Sequence, residues 1–179
     1  MKIFGRWFGF LMLAVIFASV INMFIFQTYR VEGHSIDPTL SNQELLLVSK
    51  LVHTFSEEPE YNDLVIIDSQ LRKEETLQSQ LLVTGVIALF KKDTNKRIYV
   101  KRVIGKPGDC IEIKGGYVYR NHKKIKEPYI KEPMNPFIKG KWMIPLHHIF
   151  VMGDNRHNSK DSREIGPISM NHIVGKVLM

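Results

Sequence analysis

The feature that most constrains this chain is an apolar run near its N-terminus, from Trp7 to Phe26, that holds no charged residue. Twenty helical residues span about 30 Å, the thickness of the hydrocarbon core of a bilayer. A cleaved secretory signal would have a shorter apolar core, followed by small residues rather than the bulky residues 22–27. We therefore expect residues 1–30 to form a cytoplasmic N-terminus and an uncleaved transmembrane anchor, rather than a cleaved signal or a buried core helix.

The charges on either side of this run predict its orientation. Lys2 and Arg6 precede it, whereas residues 31–90 carry a net charge of −7. Basic residues collect on the cytoplasmic side of a membrane span. We therefore expect residues 31–179 to form a single extracytoplasmic domain, and this length is enough to bury a sizeable core.

Short β-like runs dominate the chain after residue 30, and Gly, Pro, Asn and Asp separate them. This pattern predicts a mostly β fold, either a barrel or stacked sheets, behind one transmembrane helix. Lys114-Gly115-Gly116 predicts a hairpin, Glu127–Gly140 a loop, and Leu71–Gln80 a short helix or an exposed insertion. The predicted strands are Glu44–Ser49, Leu64–Asp68, Val86–Phe90, Ile98–Ile104, Cys110–Ile113, Tyr117–Tyr119, His148–Met152 and Ile173–Met179.

The cysteine and histidine content limits which disulfides, metal sites and nucleophiles the chain can form. A single cysteine, Cys110, excludes an intramolecular disulfide and a zinc site built from several thiols. Its apolar neighbours in a predicted strand indicate a core residue rather than a nucleophile. The seven histidines form no H-E-x-x-H motif, so the sequence does not favour a zinc protease.

The first candidate segment, Gly33–Leu40, contains a serine close to the predicted membrane surface. Ser35 stands between Gly33 and Pro38, a setting typical of a turn. It would be a nucleophile only with a base to activate it. Asp37 stands where the α/β-hydrolase nucleophile elbow needs its last glycine, so that motif is absent.

The second segment, Tyr99–Asp109, contains a candidate base, although an ordinary strand in a basic protein would look similar. Strand alternation places Lys101 and Arg102 on opposite faces. Only Lys101 could accept a proton, because arginine stays charged in proteins. A free lysine has a pKa of about 10.4, and lowering it to about 8 by burial disfavours the charged form by about 3 kcal/mol.

The third segment, Gly153–Arg163, is a run without an apolar side chain that directly follows an apolar strand. Such a run is usually a solvated loop. Here Asp161 could pair with Arg163, and Asp154 could pair with Arg156 or Arg163. If these side chains form a fixed, hydrogen-bonded wall, residues 153–163 could hold and orient a base.

A basic block over residues 91–141 carries a net charge of +10. Such a block could bind an anionic polymer or nucleic acid. Its aromatic residues are not spaced as a base-stacking platform. We therefore expect a solvated face that contacts anionic lipid or wall polymer, and no nucleic acid.

Taken together, the three segments resemble the bacterial type I signal peptidases, and the short body resembles their Gram-positive branch. Ser35–Leu40 matches the family's S-M-x-P-T-L box as S-I-D-P-T-L. Lys101–Asp109 matches its K-R-x-x-G-x-P-G-D box, and Gly153–Arg163 matches its G-D-N-R-x-x-S-x-D-S-R box. The resemblance implies a β-rich serine endopeptidase of the cell membrane. Such an enzyme removes signal peptides from exported preproteins after small residues of the Ala-x-Ala type.

The resemblance also implies a role for each matching residue. Ser35 would be the nucleophile, and its backbone N–H would be part of the oxyanion hole, while Lys101 would be the general base. Ser159 would position the lysine. The wall would be held by Asp154, Asp161 and Arg163. The implied partners are signal peptides and membrane lipid, with no metal and no cofactor.

The chain departs from the family pattern at three places. Ile36 replaces the usual methionine beside the nucleophile, and Gly33 replaces a serine that helps the oxyanion hole in other branches. The family's G-D-I-V-V strand matches Asn62–Ile67 better than Gly85–Phe90, which makes residues 69–97 an insertion.

Two other functions stay open from the residues alone. One is a membrane-anchored basic module that binds an anionic polymer. The other is a Ser/Lys self-cleaving regulator, although the anchor argues against it.

Overall fold

The computed structural model describes residues 7–17, 26–49, 58–68 and 98–178. Residues 7–17 are helical, and their large apolar side chains are exposed. Among the described residues, no helix has both the length and the apolar character that crossing a bilayer requires. The middle of the expected anchor, the expected strand Val86–Phe90 and the insertion 69–97, with Leu71–Gln80, lie outside the described residues.

Two antiparallel sheets make up the described part after residue 26, which confirms the mostly β prediction. The larger sheet has the order β1-β2-β11-β3-β4-β9-β10, and the smaller has the order β7-β6-β5-β8. The strands are β1 (Phe26–Arg30), β2 (Leu45–Ser49), β3 (Leu64–Asp68), β4 (Ile98–Gly105), β5 (Cys110–Lys114), β6 (Tyr117–Arg120), β7 (Lys123–Lys124), β8 (Gly140–Met143), β9 (His148–Met152), β10 (Ile168–Ser169) and β11 (Ile173–Leu178).

Strand β4 lies inside the larger sheet, between β3 and β9. Its two faces meet different parts of the core, because side chains alternate along a strand. Val100 packs in one cluster with Ile66, whereas Val103 packs in another with Val65. The β-branched residues that fill these strands suit a pleated, buried surface.

The predicted hairpin at Lys114-Gly115-Gly116 is confirmed. Lys114 pairs with Tyr117 across a two-residue turn, and both glycines have positive φ, 58° and 80°. A two-residue turn with positive φ at both central positions matches the twist of the flanking strands. Glycine adopts this conformation without a steric penalty.

Three sequence expectations differ from the structure. Phe26–Arg30, expected to close the anchor, is a strand paired with β2. Gly140, expected to end a loop, begins β8, whose charged and half-buried residues hide the strand pattern. Cys110 is half-buried rather than core, because it faces away from buried Ile111 and Ile113.

Replacing Phe150 by alanine is expected to lower the free energy of unfolding by about 3–5 kcal/mol. The Phe150 side chain is 0% exposed, and its ring lies 5.0 Å from that of Trp142. Chemical denaturation of the full chain measures the change. Phe137→Ala is the control, because Phe137 is 88% exposed and should change stability by less than about 0.5 kcal/mol. Equal losses in the two variants would contradict this packing.

Candidate active site

Ser35 lies in a tight turn that follows β1. The turn is closed by the N–H of Thr39, which donates to the carbonyl of Ile36 at 2.8 Å. Buried Ile36 and Leu40 anchor it in the core, while Ser35 stays half-buried. Apolar residues on either side of a polar turn thus fix the serine near the surface of the domain.

The third segment clamps this turn. The backbone N–H of Asn155 donates to the carbonyl of Ser35 at 3.1 Å, and its side-chain Nδ2 donates to the carbonyl of His34 at 3.0 Å. Two bonds from one residue fix both the position and the direction of the Ser35 backbone.

Lys101 lies on β4 with only 3% of its surface exposed. Its Nζ donates to the hydroxyl of Ser159 at 3.0 Å, and it also lies over the ring of Tyr99, 5.6 Å from the centroid. Burial lowers the pKa of Lys101 from its ordinary 10.5 to about 8, against the opposing pull of the Asp161 carboxylate. The hydroxyl of Ser159 holds the amine without adding a negative charge that would keep it protonated.

Asp161 supports Ser159 from behind. The Ser159 hydroxyl donates to Asp161 Oδ2 at 2.8 Å, and Gly153 N–H and Arg163 Nη2 donate to the same oxygen. Burial alone would raise the pKa of Asp161, but the hydrogen bonds and charge of Arg163 and the other donors lower it below its ordinary value. The carboxylate is therefore charged and already occupied.

Gly153 lies where the three segments meet. A methyl group at this position would collide with the Ser159 hydroxyl and with the Ser35 carbonyl. A glycine is thus needed for the serine turn and the wall to approach each other. The structure in this way brings the Ser35 backbone beside Ser159, and Ser159 in turn contacts Lys101, although the three residues are far apart in sequence.

Asp154 does not pair with Arg156 or Arg163, so that prediction was wrong. Its carboxylate binds Arg102 instead, with Nη2 to Oδ2 at 2.6 Å and Nε to Oδ1 at 2.8 Å. Arg156 binds Glu127. The predicted pair of Asp161 with Arg163 is confirmed, at 2.8 Å. Spacing favoured partners within the segment, whereas folding placed a buried cation from β4 beside Asp154.

Sequence reasoning missed two residues, Tyr129 and Glu127, that contact Arg102 and Arg156 respectively. Arg102 lies over the ring of Tyr129, 4.1 Å from its centroid, and Glu127 receives Arg156 in the same region. Burial raises the pKa of Tyr129 to about 12, helped by the neighbouring Glu127 carboxylate. Both lie in a polar, proline-containing stretch whose composition is typical of a solvated loop, so no sequence pattern indicated that they would be partly buried.

The described part of the chain shows no group of side chains that would bind a metal ion. Within residues 7–17, 26–49, 58–68 and 98–178, no three His, Cys, Asp or Glu side chains are grouped to hold a metal ion. Around Gly153 the fold places serine hydroxyls and an amine whose pKa is lowered to about 8. That combination suits acyl transfer through an activated serine.

Comparison with known proteins identifies the family of the chain. Residues 4–179 match the family described as signal peptidase, peptidase S26. Signal peptidase I of Bacillus amyloliquefaciens is 38% identical over 96% of this chain and 82% of its own. Signal peptidase I T of Bacillus subtilis (strain 168) is 35% identical over 95% of this chain and 81% of its own.

Among solved structures, a signal peptidase I from Enterococcus faecalis V583 is 22% identical and has a TM-score of 0.49. The match covers 69% of this chain and 98% of that one.

The chain therefore belongs to the signal peptidase family, peptidase S26. The resemblance inferred from the three sequence boxes is confirmed.

Replacing Asp154 by asparagine is expected to lower the free energy of unfolding by about 3–5 kcal/mol, because it leaves the buried Arg102 cation without a charge partner. Asp154 is 0% exposed. The partly exposed pair of Glu112 with Lys114, whose side chains are 27% and 53% exposed, is the control, and Glu112→Gln should cost less than about 1 kcal/mol. Chemical denaturation distinguishes the two, and a loss at Asp154 as small as that of the control would contradict the role of the buried pair.

The pH dependence of stability tests the state of Lys101. Below about pH 8 the folded and unfolded chains both carry the proton. Between about pH 8 and 10.5 the folded chain has lost it and the unfolded chain keeps it, so stability rises with pH. The free energy of unfolding of wild type, relative to that of Lys101→Met, should therefore rise by about 3 kcal/mol across this window. A difference that stays constant would mean that Lys101 keeps an ordinary pKa.

Proposed function

We propose that the chain is a membrane-bound serine endopeptidase that removes signal peptides from exported preproteins, with Ser35 as nucleophile and Lys101 as general base. The observation that carries the proposal is the buried Lys101, whose Nζ contacts the hydroxyl of Ser159 at 3.0 Å and whose pKa is lowered to about 8. The family membership supplies the reaction.

The lowered pKa makes Lys101 a usable base. At pH 7 a lysine with a pKa of about 8 is neutral in roughly one molecule in ten, whereas one with a pKa of about 10.4 is neutral in fewer than one in a thousand. The neutral amine takes the proton of the Ser35 hydroxyl while the Oγ–C bond to the scissile carbonyl forms. The protonated amine, with a pKa of about 8, can then act as the acid that protonates the departing nitrogen.

The remaining steps release the mature protein and then hydrolyse the ester on Ser35. The scissile C–N bond breaks, and Lys101 gives its proton to the departing nitrogen, which leaves as the free amine of the mature protein. A water then adds to the Ser35 ester and gives a proton to Lys101. The C–Oγ bond breaks, the signal peptide leaves as a carboxylic acid, and the Ser35 hydroxyl recovers its proton.

The other residues of the wall have positioning roles in this proposal. Ser159 holds Nζ, and Asp161, fixed by Arg163, holds Ser159. The backbone N–H of Ser35 is part of the oxyanion hole, where it stabilises the negative charge that develops on the carbonyl oxygen. Gly33 contributes no hydroxyl, so the remaining donor comes from backbone or water.

The domain acts at the outer face of the cell membrane in this account. The residues before β1 supply a cytoplasmic N-terminus and an anchor, and the extracytoplasmic catalytic domain, in contact with membrane lipid, begins at β1 (Phe26–Arg30). The exposed apolar side chains of the helical residues 7–17 and the uncharged run support this arrangement. The substrates are precursors with small residues of the Ala-x-Ala type before the cut.

Ser35→Ala and Lys101→Arg are each expected to abolish cleavage of an Ala-x-Ala precursor peptide in detergent, although both proteins fold. Arginine keeps the positive charge but cannot accept a proton. Lys123→Ala is the matched control, because Lys123 is exposed on β7 and should leave the rate unchanged. In wild type, kcat/KM should rise with pH up to a plateau above about pH 8, the pKa of Lys101. Cleavage retained by Lys101→Arg would exclude the lysine as the base.

A further inference from the structure

We propose that a cleft beside Lys101 holds the first residues of the mature protein, those that follow the scissile bond, and that Lys160 at its rim selects among them by charge. This inference rests on the proposed function, because it takes Lys101 to be the group that protonates the departing amine. It assigns a substrate-binding role to residues outside the three sequence boxes, such as Ile67 and Tyr99. It assigns another to Lys160, which stands at an unspecified (x) position of the third box.

The cleft has apolar walls and a charged rim. Ile67 and Tyr99 line it from neighbouring positions on β3 and β4. Ile165 and Ile168 line it from the short helix Ser162–Ile165 and from β10. Tyr99 and Ile165 are partly exposed, so the cleft is open to a chain arriving from solvent.

The strand register gives the cleft a direction. Lys101 pairs with Val65, Tyr99 pairs with Ile67, and the next position along pairs with Asp68. The cleft therefore begins at Lys101 and runs back along β4 toward Asp68, a distance of about 10 Å for three strand residues. An extended peptide of about three residues has the same length.

The position of Ser35 indicates which part of the substrate enters. The Ser35 carbonyl and the Ser159 hydroxyl both lie against Gly153, and the same hydroxyl holds Nζ of Lys101. Ser35 is therefore on the Ser159 side of Lys101, and it does not line the cleft. A general acid must lie within hydrogen-bond reach of the nitrogen that it protonates. The departing nitrogen therefore lies at Nζ of Lys101, and the residues bonded to that nitrogen continue into the space that begins there.

The charges around the cleft favour an acidic residue directly after the cut. Lys160 lies at the rim between Ser159 and Asp161, whose side chains are fixed by hydrogen bonds. The Asp161 carboxylate is already bound to Arg163, so it does not neutralise Lys160. Asp68 lies at the far end of the cleft. An acidic residue directly after the cut would thus meet a positive rim.

The test uses three precursor peptides that share one Ala-x-Ala signal end and carry Glu, Gln or Lys directly after the cut. Wild type should favour Glu over Lys in kcat/KM by about three-fold, the size that an exposed ion pair supports. Lys160→Gln should bring the ratio to about one, and Lys160→Glu should invert it to about three-fold in favour of Lys. Lys123→Glu is the control, because it makes the same charge change on the exposed β7 and should keep the wild-type ratio.

Two outcomes would overturn the proposal. One is a Glu-to-Lys ratio that is the same in wild type, Lys160→Glu and Lys123→Glu. The other is a ratio that Lys160→Glu and Lys123→Glu change equally, which would indicate net charge rather than the cleft. Failure of wild type to cleave any of the three peptides would instead contradict the proposed function, so the two failures are distinguishable.

Discussion

The removal of one amine from water is the physical constraint on which the rest of this site depends. Lys101 is 3% exposed, and its burial inside the larger sheet disfavours the charged form enough to lower its pKa to about 8. A carboxylate in direct contact would undo this effect, because an opposite charge stabilises the protonated amine. The hydroxyl of Ser159 provides a hydrogen bond to the amine without that charge.

The surrounding charges are arranged so that each buried ion has a partner other than Lys101. Asp161 lies one hydrogen bond away, behind Ser159, and Arg163 compensates its charge. On the opposite face of β4, Arg102 is bound by Asp154. Lys101 and Arg102 are adjacent on β4 but point to opposite faces, because side chains alternate along a strand. Arg102 therefore contacts a carboxylate, whereas Lys101 contacts a hydroxyl.

The sequence predicted the residues of the site better than their partners. Three boxes selected Ser35, Lys101 and Ser159, which the fold places close to one another, and strand alternation separated Lys101 from Arg102. The partner of Asp154 was missed, because it comes from a strand fifty residues earlier and spacing within a segment says nothing of such contacts. Strand β8 and the half-buried Glu127 and Tyr129 were missed for a similar reason: their polar sequence is typical of a solvated loop, and only the folded contacts cover it.

The most direct measurement of the central claim is an NMR titration of Lys101 in the full chain, labelled at the lysine side-chain carbons. The signal is assigned by its loss in Lys101→Met. We expect a midpoint near pH 8 for this lysine, well below the value of about 10.4 that an unperturbed lysine has. A midpoint of about 10 or above for Lys101 would contradict the account, because the amine would then be charged at the pH where the enzyme works.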